Sequence, residues 1–463
     1  MLPYAPKNYS LSDAAHLLRR AGFGGSSQEI ATYAKLGVEL AVERLLYTSS
    51  DDGTENNPFD LEQLFLERQE KNEGIGAGTG LYGWWLHKLI YTNQPLKEKL
   101  TLFWHGHFAT ELSKVENPFA MQLQNQTLRR LGLGKFETLV QAISKDPAML
   151  RYLDNNRNVK GKPNENYARE LMELFTLGVN GGYSETDVQE SARAFTGWTL
   201  SNANPQNPKD NAKYINPQYV FNKNQFDTGE KTYLGQRGTW TGEDIVRLAV
   251  AHPSSAKFII TKLWNFFVDD AISDADLETL TQVWQESNGE IAALLRRILT
   301  SQVFYSNKSR YALVKSPAEY VVGTLRRLEV KATPEQCLGA YSAMQNMGQR
   351  LFNPPNVKGW DGGTTWVSDS SLLSRLNFIG GVSQYRLPAN LQKGQTTPAI
   401  RYRLPQGKTA LETINALGQM FLDAPPEDAL RRSLEKYADS KNSPDTVKGL
   451  AYLILGSPQY HLS

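Results

Sequence analysis

The fold class is clearest in residues 164–175, which read NENYARELMELF. At roughly 100° per residue, one side of this segment is apolar, and its side chains are Tyr167, Leu171, Leu174 and Phe175. The other side forms a polar arc of Asn166, Arg169, Glu170 and Glu173. Asn164 stands where an N-cap residue is expected. The pattern predicts an amphipathic helix with a stripe of carboxylates.

Helical periodicity recurs on both sides of this segment. Helices are predicted at 80–92, 95–105, 117–132, 135–145, 242–252, 254–268, 276–286, 288–300, 315–328, 334–346, 368–380, 408–422 and most of 426–456. Residues 201–240 differ, because they are rich in Asn, Pro, Gly, Tyr and Lys, with short strands predicted at 219–221 and 231–234. A linker is predicted around 394–398.

We therefore predict a mainly α fold, a multi-helix globular body with a small irregular or β insertion. The insertion covers residues 201–240, and it separates an N-terminal helical part, 1–200, from a C-terminal helical part, 241–463, packed tightly on the first.

The composition argues against a nucleic-acid-binding protein and against a membrane-inserted one. The 463 residues include 50 Lys and Arg against 48 Asp and Glu, so there is no global field to attract nucleic acid. No apolar run approaches about 18 residues, and no basic-then-apolar leader opens the chain, so we expect no membrane insertion and a cytoplasmic location. The single cysteine, Cys337, lies in a helical stretch and is expected to be buried.

The first candidate site is the histidine motif FWHGHF at 103–108. On a continuous helix, His105 and His107 would point about 200° apart. Gly106 favours the end of a helix, and we therefore predict that the helix ends there and that the two imidazoles converge on a metal ion or a proton-transfer site. The alternative is that His105 caps the helix and His107 makes a core hydrogen bond.

A second acidic helix is predicted after the first. Ser184 and Asp187 have the spacing of a capping box, and Glu190 lies on the same polar side as Asp187. A tight turn would make the two helices antiparallel neighbours, with their carboxylates facing each other. Those carboxylates would repel unless Arg169, Arg193 or a cation lay between them. The alternative is two solvated polar faces.

Tryptophans in loops form another candidate group. Trp198, Trp240, Trp360 and Trp366 lie near Gly, Pro or Asn, where a tryptophan either packs into the core or stacks on a flat ligand such as a sugar. The segment 353–363 reads NPPNVKGWDGG, which suits the rim of a pocket.

Three functions follow from these groups. The preferred prediction is a metal-assisted hydrolase in which His105, His107 and Glu170 hold a divalent ion. The predicted catalytic residues are Glu173, Glu190, Asp187 and Arg169, and a saccharide or other small-molecule substrate would contact Trp198, Lys231, Trp360 and Trp366. The alternatives are a non-enzymatic polysaccharide- or partner-binding protein and a metal-free glycosidase with a carboxylate pair.

Several motifs together resemble one family. They include RRAGFG at 19–24, the histidine motif, NYARELMEL at 166–174, ARAFTGW at 192–198 and the run from Pro354 to Trp360. Over nearly the whole chain, the sequence resembles the bacterial domain-of-unknown-function family numbered 1800. The resemblance implies no particular reaction, because none is established for the family. Its members often resemble exported proteins, in contrast to the location expected from the start of this chain.

Overall fold

The computed structural model describes most of the chain. The described residues are 2–4, 8–47, 49, 52–71, 78–201, 203–204, 206–269, 271–387, 399–440 and 445–463. The linker predicted around 394–398 lies outside them.

Helices dominate the first part of the chain. They are α1 Leu11–Arg20, α2 Ser27–Leu46, α3 Leu61–Glu70, α4 Gly78–Tyr91, α5 Pro95–His107, α6 Leu112–Val115, α7 Pro118–Leu131, α8 Phe136–Ser144, α9 Pro147–Tyr152, α10 Asn166–Glu170 and α11 Glu185–Ala194. Capping boxes at Ser10, Ser26 and Ser184 start α1, α2 and α11, because each side chain accepts a hydrogen bond from an otherwise unpaired backbone N–H. The capping box predicted at Ser184 and Asp187 is confirmed.

The helix predicted across 164–175 changes type halfway. After α10 the backbone continues as a π-helix, Leu171–Thr176. The Thr176 hydroxyl donates to the Leu171 carbonyl at 2.5 Å, and the amides of Leu177 and Gly178 both donate to the Met172 carbonyl. π-helices are rare and widen a helix locally. The buried side chains repeat every four residues and include Met172 in place of the predicted Leu174, so the α-helical period predicted the helical segment but not its widening.

The insertion contains two small antiparallel sheets. Strand β1 Trp198–Leu200 pairs with β2 Tyr219–Phe221, and α12 Asn211–Ile215 lies between them in the chain. Strand β3 Lys231–Tyr233 pairs with β4 Gln236–Gly238. Their turn residues, Leu234 and Gly235, have φ of 48° and 75°, as a two-residue hairpin turn requires. Both predicted strands and the mainly α fold class are confirmed.

The rest of the described chain is helical. Its helices are α13 Gly242–Ala251, α14 Pro253–Phe267, α15 Asp274–Glu286, α16 Ile291–Leu299, α17 Pro317–Arg327, α18 Pro334–Asn346, α19 Asp369–Ser383, α20 Ala410–Leu422, α21 Asp428–Ser440, α22 Thr446–Leu455 and α23 Pro458–His461. In the ranges given above, no helix combines the length and the apolar character needed to cross a membrane.

Buried contacts join the first and last parts of the chain. Helix α4 packs against α17 and α18. Asp423, at the end of α20, accepts hydrogen bonds from Arg327 at 2.6 and 2.7 Å and from Arg19 of α1. Buried apolar side chains from both parts form one continuous core, which includes Cys337 as predicted. Burial raises the pKa of the Cys337 thiol to about 12, so the thiol stays protonated at neutral pH.

Candidate functional site

The histidine motif lies on a helix that does not end at Gly106. Helix α5 continues through His107, so the prediction that it ends at the glycine is wrong. The physical reason is that helix propensity is a weak preference. Glycine costs about 1 kcal/mol inside a helix, and tertiary packing can outweigh this cost, so Gly106 keeps helical backbone geometry. His105 and His107 therefore leave the helix in different directions and have different neighbours.

His105 faces the loop that follows α18. Its Nε2 accepts a hydrogen bond from the backbone N–H of Phe352 at 3.0 Å, and its ring lies 5.7 Å from that of Trp360. Trp85 packs edge-on against the same imidazole. Burial lowers the pKa of His105 to about 3, so the side chain is neutral at ordinary pH. His105 thus holds the start of the loop through a neutral imidazole.

His107 faces the π-helix instead. Its Nε2 donates to the carbonyl of Phe175 at 3.0 Å, and its ring is surrounded by aromatic side chains such as Phe108 and Phe258. Burial, with the charge of Lys262 as a smaller cause, lowers the pKa of His107 well below its ordinary value. This core hydrogen bond is the alternative that the sequence left open for His107.

Glu170, the glutamate predicted as a metal ligand, has no hydrogen bond to either histidine, whose Nε2 atoms bind backbone groups. Glu170 is half-buried, and burial together with the charge of Glu173 raises its pKa. Across the part of the chain that the structure describes, no three His, Cys, Asp or Glu side chains are grouped so that they could hold a metal ion. The predicted set of His105, His107 and Glu170 therefore finds no support in this geometry.

Three of the four predicted catalytic groups have internal partners, and the fourth, Glu173, is half-buried next to Glu170. Arg169 donates to both carboxylate oxygens of Glu185 at 2.8 Å, which joins α10 to α11. Arg193 donates to both oxygens of Glu190 at 2.9 Å. Asp187 accepts from the backbone N–H groups of Ser184 at 2.8 Å and Leu234 at 2.6 Å. Each arginine therefore pairs with one carboxylate of α11, whereas Asp187 is satisfied by backbone N–H groups.

Two of the predicted substrate contacts lie in the interior. Trp198 is 1% exposed and packs against Phe195 and Tyr219. Lys231 is also 1% exposed, and its ammonium donates to the carbonyls of Asp227 and Gly229 at 2.7 and 2.8 Å. Neither side chain offers a free face to a ligand, because both contribute to the packing of the insertion.

Trp360 and Trp366 line one pocket, which we call the tryptophan pocket. Its volume is about 310 Å³. Trp366 is 7% exposed and forms a wall, whereas Trp360 is half-buried. The polar residues of the lining are Gln345, Asn346, Asp361, Thr365, Ser368, Ser370 and Ser371. The pocket thus combines aromatic surface with hydroxyl, amide and carboxylate groups.

The loop that carries Trp360 is held against the end of α5. Gly359 has φ of +86°, and a Cβ there would lie 2.2 Å from the carbonyl oxygen of Gly106, so only glycine fits. On the far side of the loop, the Ser371 hydroxyl of α19 donates to the carbonyl of Trp366 at 2.9 Å. The pocket is therefore built on α5, α18 and α19 and does not depend on the loop alone.

Sequence reasoning missed the polar residues of the pocket. Gln345 and Asn346 end α18, and Ser368, Ser370 and Ser371 start α19. Each of these residues has an ordinary role at a helix terminus, and Ser368 is indeed the N-cap of α19. The available signal was their position on both sides of a loop rich in tryptophan and glycine.

Comparison with known proteins adds the family of the chain. No curated protein and no solved structure matches it. One family model, described as "Protein of unknown function (DUF1800)", matches residues 16–462. The chain belongs to the DUF1800 family.

Proposed function

We propose that this protein binds a saccharide in the tryptophan pocket. The observation that carries the proposal is that two loop tryptophans share one pocket with hydroxyl, amide and carboxylate groups. Its volume of about 310 Å³ lies near the lower end of the roughly 300–1,000 Å³ typical of small-molecule sites.

The lining suits a ligand with an apolar face and a polar edge. The half-buried ring of Trp360 offers an aromatic surface against which the C–H face of a sugar ring can lie. Asn346 and Ser370 are exposed at the rim, where an amide and a hydroxyl can donate to and accept from sugar hydroxyls. Asp361 adds an exposed carboxylate, which pairs with the exposed Lys358 at 2.7 Å and has a second oxygen that can accept from sugar hydroxyls.

Binding is favoured over hydrolysis because three of the four predicted catalytic groups are engaged elsewhere, the exception being Glu173. Arg169 and Glu190 are in ion pairs, and Asp187 caps a helix. Both histidines of the motif use Nε2 in hydrogen bonds to the backbone. Metal-assisted and metal-free hydrolysis remain predictions from the sequence.

A glycan-binding assay tests the proposal. The wild-type protein is screened against a panel of neutral and acidic oligosaccharides, and the affinity for the best ligand is measured by calorimetry. We expect Trp360→Ala to weaken binding about tenfold or more, which corresponds to about 1.4 kcal/mol. Trp240→Ala is the matched control, since Trp240 is also a partly buried loop tryptophan but does not line the pocket.

A second variant separates binding from folding. Asn346→Ala/Ser370→Ala removes two exposed polar groups from the rim and leaves the packing of Trp360 against His105 intact. Weaker binding in this variant, with unchanged thermal stability, supports the proposal. The proposal fails if no glycan binds the wild-type protein, or if the Trp360 and rim variants bind as tightly as the Trp240 control.

A further inference from the structure

A second pocket, which we call the cationic pocket, has a different character. It lies between α4, α5 and α7 and has a volume of about 410 Å³. Four of its lining side chains are cationic, namely Lys88, Lys97, Arg129 and Arg130. Among the described residues that line it there is no Asp or Glu, and a cleft lined by one sign of charge concentrates its field on the opposite ion.

Two of the four cations form ion pairs with carboxylates that do not line the pocket. Lys88 pairs with Asp52 at 2.9 Å. Arg129 pairs with Glu98, and its Nη2 lies 3.0 Å from Oε2 of that carboxylate. These ion pairs fix the two side chains in place. The pocket is therefore partly preorganised, which reduces the cost of ordering side chains when a ligand binds.

The other two cations have no carboxylate partner within the described part of the chain. The ammonium of Lys97 contacts only the side-chain oxygen of Gln94, at 3.3 Å. Arg130 is exposed, and it has neither a hydrogen bond nor an ion pair with any described residue. Burial lowers the pKa of Lys97, the charges of Glu98 and Asp52 raise it, and those of Arg129 and Lys88 lower it further. Keeping a half-buried ammonium without a directly bound anion is unfavourable, and a ligand anion would offset this desolvation cost.

We propose that the cationic pocket binds a tetrahedral oxyanion, a phosphate or a sulfate. Lys97 and Arg130 supply the free donors, and Arg130 can contact two oxygens of one anion through its planar guanidinium. The amide of Gln126 adds a neutral donor to the lining, and the indole of Trp84 forms an apolar wall. The anion is either inorganic or the end group of an organic ester whose remaining part lies against Trp84.

A ³¹P NMR titration at constant ionic strength tests this site and distinguishes the two sources. Inorganic phosphate and phenyl phosphate are titrated separately into the full-length protein. Tighter binding of phenyl phosphate identifies an ester as the ligand class, and equal binding identifies the free oxyanion. In either case we expect Lys97→Gln/Arg130→Gln to weaken binding about tenfold or more.

The control carries the same change in net charge. Lys209→Gln/Arg432→Gln removes two exposed cations that do not line the pocket, so it tests for non-specific attraction. We expect this variant to bind as the wild-type protein does. The proposal is overturned if neither phosphate binds, if the pocket variant keeps the wild-type affinity, or if the control loses as much affinity as the pocket variant.

Discussion

Replacing His105 by leucine should destabilise the protein and weaken the tryptophan pocket together. His105 is 1% exposed, and its Nε2 accepts from the N–H of Phe352, a residue that is 0% exposed. Leucine removes the acceptor and leaves this N–H buried without a partner. Orphaning one buried polar group costs about 1–3 kcal/mol.

Other contributions to this substitution are small. The pKa of His105 is about 3, so no charge is lost at neutral pH. Leucine keeps an apolar side chain between Trp85 and Trp360, whose rings lie 5.0 and 5.7 Å from the imidazole. The expected loss in the free energy of unfolding is therefore close to the hydrogen-bond cost of about 1–3 kcal/mol.

Urea denaturation at pH 7.5, followed by circular dichroism, measures this loss. His87→Leu is the matched control, because His87 is half-buried and its Nδ1 has no hydrogen-bond partner among the described residues. We expect the control to change the free energy of unfolding by less than about 0.5 kcal/mol. Saccharide affinity should fall only in the His105 variant. An equal loss of stability in both variants, or none in the His105 variant, would refute this role of His105.

Three more predictions concern the stability of the fold. Gly359→Ala should destabilise the protein by about 1–3 kcal/mol, measured by denaturation, because its Cβ would overlap the Gly106 carbonyl at positive φ. Asp423→Asn should cost about 3–5 kcal/mol in the same assay, since two buried arginines lose their carboxylate, and a loss under about 1 kcal/mol would contradict this. Stability should fall as pH drops from about 6.5 towards 3, by up to about 1.4 kcal/mol per unit for each buried histidine. The sign follows because burial lowers the native pKa of His105 to about 3 and of His461 to about 4, so the unfolded chain binds more protons; pH-independent denaturation midpoints would contradict it.

Local sequence signals predicted most of the fold because the relevant interactions are local. The Ser184 capping box lies within four residues, and Tyr219–Phe221 has the composition of a strand. The π-helix at Leu171–Thr176 was not predicted, because the apolar side was assigned with an α-helical period, whereas the buried side chains repeat every four residues. The hydrogen bond from His107 to the Phe175 carbonyl of the π-helix joins residues 68 positions apart in the sequence. A pattern within a short segment therefore cannot predict it.

The same distinction applies to the candidate site. The sequence predicts both Trp198 and Trp360 as loop tryptophans preceded by glycine, yet one starts a strand in the core and the other lines a pocket. The difference between the two tryptophans lies in their tertiary contacts. Trp198 packs on Tyr219 of its strand partner, whereas Trp360 lies over the end of α5 with one side open. Residue type predicted the stacking candidates, and only the packing decides between them.

Internal hydrogen bonds and ion pairs explain why charged residues that resemble a catalytic site in the sequence do not identify the function of this protein. Arg169 and Glu190 have the chemistry of a catalytic site, but each is satisfied within the fold. A group with a strong internal partner must break that contact before it can bind a ligand, which costs free energy. The side chains of Lys97 and Arg130, by contrast, have no carboxylate partner among the described residues, and Trp360 is only half-buried. A group that is not engaged in this way binds a ligand at a lower cost in free energy, and the two proposed sites rest on that argument for Lys97, Arg130 and the open side of Trp360.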